Sequence, residues 1–572
     1  RNPAAFAELH VLVTDPALNV DPTTADVWIF DLSEDGSGTT AIFANNGSNT
    51  ALSPAQLGSM GCEANCLLKS DGESVISGFD DVTMTESGSN TAIFESFDAE
   101  GESQIELIEQ ATGDTKIVFT YGDDNVDMIV TYNDASLTLD APSDWKPATA
   151  ATFTVTDNDM NFNPDSVDEL EVGDERRVIP TIIMGDPLTL KDAGTNPHLE
   201  SGDTISNQSS AWGTTSGVAV GMHRGVGLAG SSYYGNIYNT TDTSERLRIV
   251  HNAEMSNSQL ASATATWINV TTGWTKANLV NLPGTVVLSY DVTGPAGLVS
   301  STAVNVYLTD DGNNATDAAT SEIDLVTSGN NKKGVVDIDD GTNKVRSADI
   351  GADFFSTSGH TDSNFISINF ELVHAAAADM SSTADYAIAA DLCNFDQNNG
   401  TDTHNCIYRI DMEETGDNTG VFQGDVEYIM LNNSTMFNSR STAGVHAGND
   451  HNVEGLITAN DDSVTVVLMD GIDGVSALRI SHNDTDALQA SEEVQRQLDA
   501  STHTGTAELD QLDYESEDMA TITIIDPDLN QDSEVRETYT NSSTTFQITC
   551  TDGSDPEIAS QCVSAASTVV II

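Results

Sequence analysis

The chain has 572 residues, which is enough for roughly three to five domains with separate hydrophobic cores. It carries 90 acidic side chains against 20 lysines and arginines, a formal net charge of −70. Such a surface repels nucleic acid and anionic membranes, so both are excluded as partners and cations are favoured. Acidity of this degree is also typical of a solubilising or salt-adapted surface.

A predicted strand and an acidic loop open the chain, and this pair recurs twice. The copies are "VTDPALNVDPTTAD" at 13–26, "VTDNDMNFNPDSVD" at 155–168 and "IIDPDLNQDSEVRE" at 524–537. In each copy an Asp follows β-branched residues, an Asn comes four residues later and a carboxylate eleven residues later. Self-similarity in this order indicates tandem domains.

The spacing of the copies divides the chain into three units. Unit one covers 1–145 and could contain two sub-domains. Unit two begins at 146–180, is interrupted by an inserted β-rich domain at 181–390 and resumes at 391–502. Unit three covers 503–572 and is shorter than a full copy, so we expect the polypeptide to continue beyond both ends.

Short alternating runs separated by Gly, Asn and Asp turns fill the units. The segment 115–134 predicts a hairpin, and the segment 462–484 predicts its counterpart in unit two. Evenly spaced short strands favour an all-β fold of tandem immunoglobulin-like β-sandwich domains. A helix is predicted only for Asp486–Leu498.

The cysteines and the glycosylation sequons both favour an extracellular location. The six cysteines form three local pairs, Cys62 with Cys66, Cys393 with Cys406 and Cys550 with Cys562, which predicts small disulfide loops. No apolar stretch reaches the ~18 residues of a membrane span. The sequons, which would carry N-linked glycans, begin at Asn46, Asn207, Asn239, Asn269, Asn314, Asn399, Asn432, Asn433, Asn483 and Asn541.

The acidic loops are the candidate metal sites. Numbered from its first Asp, each loop places side-chain oxygens at alternate positions, which is how a loop that wraps a calcium ion presents its ligands. The candidate ligands at positions 1, 3, 5, 7 and 12 are Asp15, Asn19, Asp21 and Asp26 in the first loop, Asp157, Asp159, Asn161, Asn163 and Asp168 in the second, and Asp526, Asp528, Asn530, Asp532 and Glu537 in the third.

Calcium is the predicted cofactor, although another divalent cation would suit the same oxygens. Ala17 occupies position 3 of the first loop, so that loop should bind most weakly. A bound ion would tie each incoming strand to its loop and stiffen the junction between domains. The alternative is that the Asp and Asn side chains form Asx turns, which cap backbone amides without a metal.

Catalytic motifs are weak in this sequence, and we predict no enzymatic activity and no catalytic residues. "RGVGLAG" at 224–230 matches a glycine-rich nucleotide loop but lacks the surrounding βαβ unit. "HAGNDH" at 446–451 could chelate a metal, but loop histidines are usually solvated.

Several of these segments together resemble the S-layer proteins of ammonia-oxidising archaea. They are the three acidic loops, "ETGDNTGVF" at 414–422 and "STHTGTAELDQLDYESEDMATITIIDPDLN" at 501–530, and the resemblance covers roughly 1–180 and 390–560. It implies a secreted, glycosylated cell-surface protein that assembles with itself into a two-dimensional lattice, commonly of hexameric units. It also implies calcium support and negative pores that favour ammonium over anions.

Two other classes remain open on the sequence alone. A cell-surface adhesin or extracellular filament subunit could be built from the same calcium-stiffened domains. A surface enzyme carried on sandwich spacers would place its active site in the region 180–390.

Overall fold

The computed structural model of the protein describes parts of the chain. These are residues 7–31, 41–43, 50–51, 60–62, 68–70, 81–99, 101–103, 105–107, 113–114, 116–121, 124–174, 177–185, 188, 219–224, 234–239, 245–250, 265–275, 278–279, 282, 285–293, 303–310, 322–326, 332–338, 365–373, 386–398, 401–431, 461–469, 475–484, 492–515, 518–532, 536, 538–540 and 568–570.

The described residues form short strands almost throughout, which confirms the predicted all-β class. The first strands are β1 Leu12–Thr14, β2 Val27–Asp31, β3 Ala41–Phe43, β4 Thr50–Ala51, β5 Met60–Cys62, β6 Leu68–Ser70, β7 Asp81–Glu86, β8 Ile93–Glu95, β9 Ile105–Leu107, β10 Lys116–Tyr121, β11 Asp124–Ile129 and β12 Ser136–Asp140.

The middle of the chain contributes longer strands. They are β13 Ala151–Thr156, β14 Glu169–Leu170, β15 Thr181–Met184, β16 Ala219–Arg224, β17 Tyr234–Asn239, β18 Glu245–Val250, β19 Ala265–Thr275, β20 Thr285–Asp291, β21 Ala303–Asp310, β22 Glu322–Val326, β23 Lys333–Asp337 and β24 Phe365–Val373.

The remaining elements complete unit two and begin unit three. The strands are β25 Tyr386–Asn398, β26 Thr401–Arg409, β27 Met412–Glu414, β28 Val421–Leu431, β29 Ser463–Met469, β30 Val475–Asp484, β31 Glu492–Ser501, β32 Thr506–Leu509, β33 Ile522–Ile525, β34 Thr538–Thr540 and β35 Thr568–Val570. Short 3-10 helices at Asn158–Met160 and Pro527–Leu529 open the second and third acidic loops.

The strands combine into several sheets in which nearly every pairing is antiparallel. Sheet one has the order β1-β8-β7-β2-β3-β4, sheet two β11-β10-β5, and sheet three β12-β13-β28-β27-β14 with β29 joined to β28. Sheet four has the order β17-β18-β25-β26-β15-β30-β31 and also includes β20 and β23, and sheet five is β16-β19-β24-β21-β22. Pairs β6-β9, β32-β33 and β34-β35 complete the described pairings.

The main hydrophobic core joins sheets three and four. On β13 the buried side chains alternate with partly exposed threonines, so Phe153 and Val155 face inward, as period-two patterning requires. They share one cluster with Tyr428 of β28, Tyr408 of β26 and Ile480 of β30. Two sheets that bury one apolar cluster form a sandwich-like arrangement; an immunoglobulin-like strand order remains a prediction.

The predicted unit boundaries cut across this arrangement at two places. The boundary near residue 145 separates β12 from β13, which pair with each other in sheet three. Within 181–390, sheet five is formed entirely by that segment, whereas β15, β17, β18, β20 and β23 belong to sheet four. The inserted segment therefore both builds its own sheet and extends the sheet of unit two.

One predicted hairpin is confirmed and the other is wrong. Strands β10 and β11 pair antiparallel, with Tyr121 opposite Asp124. Strands β29 and β30 do not pair with each other: β29 runs parallel to β28 in sheet three, and β30 pairs with β15 and β31 in sheet four. The two strands belong to different sheets, a topology that strand-and-turn patterning does not distinguish from a hairpin.

The predicted helix at Asp486–Leu498 is also wrong where the structure describes it. Residues 492–501 form β31, which pairs with β30 and places Leu498 opposite Leu478. Val494 and Leu498 pack against the core. Apolar residues four apart suit one face of a helix and one face of a strand equally, so the sequence pattern alone is ambiguous here.

One predicted disulfide lies within the described residues. Cys393 and Cys406 are bonded and join β25 to β26. The pairings of Cys62 with Cys66 and of Cys550 with Cys562 lie outside the described residues. Among the sequons, Asn239, Asn269 and Asn483 lie in described strands, and the others lie outside the described residues. No helix in the described part of the chain is long and apolar enough to cross a membrane.

Candidate cation site and the acidic loops

The three acidic loops begin with the same local structure. The position-1 Asp of each loop accepts a hydrogen bond from the backbone N–H two residues later, an Asx turn that in the second and third loops caps a 3-10 helix. The bonds run from Ala17 N to Asp15 Oδ1 at 2.7 Å, from Asp159 N to Asp157 Oδ1 at 2.9 Å and from Asp528 N to Asp526 Oδ1 at 3.2 Å.

Position 12 closes the first and second loops with a buried carboxylate. Asp26 Oδ2 accepts the backbone N–H groups of positions 6 and 7, and Asp168 Oδ2 accepts those of the equivalent residues, Phe162 at 2.6 Å and Asn163 at 3.0 Å. Arg177 donates to the other oxygen of Asp168 at 2.7 Å. Burial raises the pKa of Asp168, although Arg177 lowers it. The position-12 oxygens therefore bind protein groups.

Positions 5 and 7 likewise bind within the protein. Asn161 donates through Nδ2 to Glu414 at 2.9 Å, and Asn19 donates to Asn90 at 2.9 Å. At position 7, Asn163 Oδ1 accepts from the N–H of Asp165 at 3.0 Å. Asp21 accepts from Thr23 at 2.9 Å in the same manner. Glu537, at position 12 of the third loop, lies outside the described residues.

A second repeated motif holds the first two loops, and its key residue was not among the predicted ligands. Glu86 begins "ESGSNTAIF" and Glu414 begins "ETGDNTGVF". Each Glu accepts the N–H of the position-12 Asp, at 3.1 Å for Asp26 and 3.2 Å for Asp168. Its other oxygen accepts the N–H six residues later, at Ala92 and Gly420 respectively. A Glu eight residues before the shared Phe was the available sequence signal.

Asp157 and Asp159 meet a third carboxylate, that of Asp484. One ligand atom from each of these three buried side chains lies within 4.8 Å of the other two. Asp157 follows β13, Asp159 lies in the 3-10 helix, and Asp484 ends β30. The structure thus brings together positions 1 and 3 of the second loop with a residue that the loop pattern did not include.

Donors from two further segments surround the carboxylate triad Asp157, Asp159 and Asp484. His482 Nε2 lies 2.8 Å from Asp157 Oδ2. Asn133 donates to Asp159 through its backbone N at 2.8 Å and through Nδ2 at 3.0 Å. The N–H of Ala135 donates to Asp484 at 2.7 Å. The similar segments 131–135 and 481–485, "TYNDA" and "SHNDT", were the sequence signal for this site.

The electrostatics of the triad favour a cation. Burial raises the pKa of Asp159 to about 7; hydrogen bonds from Asn133 oppose this rise, and the charges of Asp157 and Asp484 add to it. Like charges held this close disfavour ionisation unless a positive charge compensates them. Hard carboxylate oxygens are the ligands that calcium prefers. The donor set therefore fits a divalent hard cation.

The third loop repeats part of this arrangement. His503 donates to Asp528 through its backbone N at 2.6 Å, and its Nδ1 lies 2.9 Å from the other oxygen, which reproduces the contacts of Asn133 with Asp159. Burial raises the pKa of Asp526. Within the described residues, only the second loop assembles three carboxylates in one group.

The other motifs with possible chemistry fall elsewhere. Residues 225–230 of the glycine-rich segment and residues 446–451 of the histidine-containing segment lie outside the described residues. In comparisons with known proteins, no protein-family model matches the chain. A search of curated proteins also gives no match.

Proposed function

We propose that the protein is a structural subunit of a cell-surface layer, and that a divalent cation, calcium, stabilises its tandem β-units. The observation that carries this proposal is the buried triad of Asp157, Asp159 and Asp484. A structural subunit needs rigid junctions between its units, and a shared ion joins segments that are distant in the chain.

The triad lies where three segments meet. Asp157 and Asp159 belong to the loop after β13, Asp484 belongs to the end of β30, and Asn133 and Ala135 precede β12. An ion held by the three carboxylates would fix the exit of β13 against β30. It would also remove the repulsion between the acids that hold it. Calcium takes about six to eight oxygen ligands, so other oxygens would complete its coordination.

The same loop also contacts unit one. The N–H of Glu8 donates to the carbonyl of Phe162 at 2.9 Å, and His10 Nδ1 lies 3.1 Å from Asp165 Oδ2. Gly101 adopts a φ of +88°, and a Cβ built there would lie 3.0 Å from the Cβ of Asp165. Stabilising the second loop would therefore also stabilise the contact between units one and two.

Net charge and disulfide use support the remaining parts of the proposal. A charge of −70 would accumulate cations, including ammonium, at the surface of an assembled layer. The Cys393–Cys406 bond suits an oxidising, extracellular compartment. The partners we propose are other copies of this chain in a two-dimensional, hexameric lattice, cations and N-linked glycans.

Reassembly of the full chain, imaged by electron microscopy, tests this proposal. We expect ordered sheets with calcium, loss of order with a chelator and impaired order for Asp484→Asn. Asp134→Asn, which removes an exposed carboxylate beside Asn133, is the matched control and should assemble normally. Helical fibres instead of sheets would favour an adhesin or filament subunit, and sheets that ignore both calcium and Asp484→Asn would contradict the proposed role of the ion.

A further inference from the structure

The hairpin that opens unit three repeats the hairpin that opens sheet three. Strands β12 and β13 pair with Ser136 opposite Thr156, and strands β32 and β33 pair with Thr506 opposite Ile525. Both second strands lead directly into an acidic loop, at Asp157 and Asp526. Ile524 therefore takes the place of Val155.

In the first two units, the strand before the loop pairs with a strand that is not its hairpin partner, and in unit two this strand lies on the edge of β13 opposite β12. Strand β1 pairs with β8, with Val13 opposite Phe94, and β13 pairs with β28, with Val155 opposite Phe422. In both units, the last two residues of the motif Glu-Ser/Thr-Gly-x-Asn-Thr-Ala/Gly-Ile/Val-Phe lie in this partner strand. The register is the same in both units.

This partner segment also holds the acidic loop. Asn90 and Asn418 accept from the position-5 Asn, at 2.9 Å and 3.3 Å. Glu86 and Glu414 accept the position-12 N–H, as described above. In the third loop the position-5 residue, Asn530, donates instead to the carbonyl of Pro147 at 3.4 Å.

Among the described residues, β33 pairs only with β32; Ile522 and Ile525 are exposed and Ile524 is half-buried. Ile522 is 51% exposed, whereas Phe153 at the equivalent place is fully buried. Ile525 is 55% exposed, and Leu509 on the adjoining strand is 57% exposed. An open edge with exposed apolar side chains is a template for strand addition.

Unit three repeats the neighbouring pair as well. Thr538 pairs with Val570 just as Val27 pairs with Thr85 after the first loop, so β34 and β35 take the places of β2 and β7. Among the described residues, no strand takes the place of β8 or β28 beside β33.

We infer that the free edge of β33 binds an antiparallel strand carrying the motif Glu-Ser/Thr-Gly-x-Asn-Thr-Ala/Gly-Ile/Val-Phe. The backbone ladder supplies affinity, as in other cases of β-strand addition. The Phe lies opposite Ile524 and covers the apolar face, while the Glu and Asn reach the third acidic loop. This inference requires neither the cation nor the surface layer.

The probe is a fluorescent peptide with the sequence of residues 411–426, DMEETGDNTGVFQGDV, added to the full chain. We expect saturable binding by fluorescence anisotropy and protection of the amides of Ile522 and Ile524, which face away from β32, from hydrogen exchange. A peptide with Phe422→Asp should bind at least about ten-fold more weakly, because the apolar contact is lost. A protein with Ile524→Lys should lose binding to the same extent, and Val126→Lys, at an exposed apolar position on β11, should not.

Three results would overturn the inference. The first is the absence of saturable peptide binding. The second is full protection of the amides of Ile522 and Ile524 before the peptide is added, since another part of the chain would then cover the edge. The third is self-association of the chain that Ile524→Lys abolishes but the peptide does not inhibit. In that case a second copy of the chain would occupy the edge of β33. The exchange measurement uses wild-type protein, so it does not depend on the folding of any variant.

Discussion

At the residue scale, a single buried glutamate organises each of the first two acidic loops. Glu414 is almost fully buried and accepts hydrogen bonds from Asn161 and from the N–H groups of Asp168, Thr419 and Gly420. Glu86 has the equivalent bonds to Asp26 and Ala92 in unit one. Asn418 and Gly420 both have positive φ, at 57° and 63°, as Asn90 and Ala92 do at 70° and 57°. The carboxylate therefore pairs the amides of a tight turn that few residues can adopt.

Replacing Glu414 by Gln should destabilise unit two. An amide offers one acceptor oxygen in place of two, so at least one buried N–H loses its partner, at a cost of about 1–3 kcal/mol. Urea unfolding followed by the fluorescence of Trp145, which is buried in the same core, measures the change. Glu413→Gln, at the exposed neighbouring position, is the control and should leave the midpoint unchanged. Equal stability of the two variants would contradict this role of Glu414.

A second residue-scale prediction concerns pH. Burial raises the pKa of Asp411 to about 7, Asp291 adds to the rise, and the N–H of Val172 and the charge of Lys333 oppose it. Because the folded pKa lies above the ordinary value of about 3.9, the contribution of this group to stability is fully present below about pH 4. It is lost as the pH rises through 7.

The variant Asp411→Asn should flatten this part of the pH profile. The Asn retains an oxygen for the N–H of Val172 but does not ionise. Chemical unfolding at several pH values between 4 and 8 should show a shallower fall in stability than in the wild type. The exposed Asp417→Asn should keep the wild-type slope. A wild-type slope in the Asp411 variant would show that other groups cause the fall.

At the element scale, local patterns predicted strands and turns better than they predicted pairings. The repeat of strand and loop, the hairpin of β10 with β11 and the all-β class follow from alternation and turn residues. The parallel partner of β29 and the assignment of β31 to a strand depend on contacts between distant segments, such as Leu478 with Leu498.

The candidate site was likewise predictable only where its residues are neighbours in the sequence. Asp157 and Asp159 were predicted because they lie two residues apart in one loop. Asp484 and His482 reach the loop only because β30 folds into the facing sheet, and no local spacing carries that information. The loop pattern also treated position 12 as a ligand, whereas Asp168 bonds to backbone amides and Arg177. The Asx turns of the alternative interpretation are present at position 1 of each loop.

One element-scale prediction concerns the disulfide between β25 and β26. It closes a loop with a sequence separation of 13 residues in the middle of sheet four. Loop closure of this size stabilises a fold by about 3 kcal/mol. The double variant Cys393→Ala and Cys406→Ala should therefore unfold at lower temperature by calorimetry under non-reducing conditions. An unchanged unfolding temperature would contradict a stabilising role for this bond.

At the scale of the whole molecule, the second acidic loop lies at the contact between units one and two. It touches Glu8 and His10 of unit one and Asp484 of unit two. Burial lowers the pKa of His10, but the carboxylates of Glu8 and Asp165 raise it, and the net pKa lies above its usual value. The second loop therefore stabilises the contact between units one and two as well as unit two itself.

High net charge makes the junction sensitive to its ionic surroundings. Because the chain has a net charge of −70, monovalent salt stabilises it by screening the repulsion between units, without binding at any site. A specific calcium effect must therefore be separated from screening, by comparing calcium with sodium at equal ionic strength. If calcium binds at the triad, removal of one triad carboxylate should reduce the stabilisation by calcium, whereas screening would not depend on that carboxylate.

Calorimetric unfolding of the full chain with calcium and with a chelator, for wild type, Asp484→Asn and Asp134→Asn, tests the central claim most directly. An ion that binds the folded state raises the unfolding temperature in proportion to its affinity. We predict a calcium-dependent rise for the wild type and for Asp134→Asn, and a clearly smaller rise for Asp484→Asn. An equal rise in all three proteins, or no rise beyond that given by sodium, would contradict the proposal that the triad holds a cation.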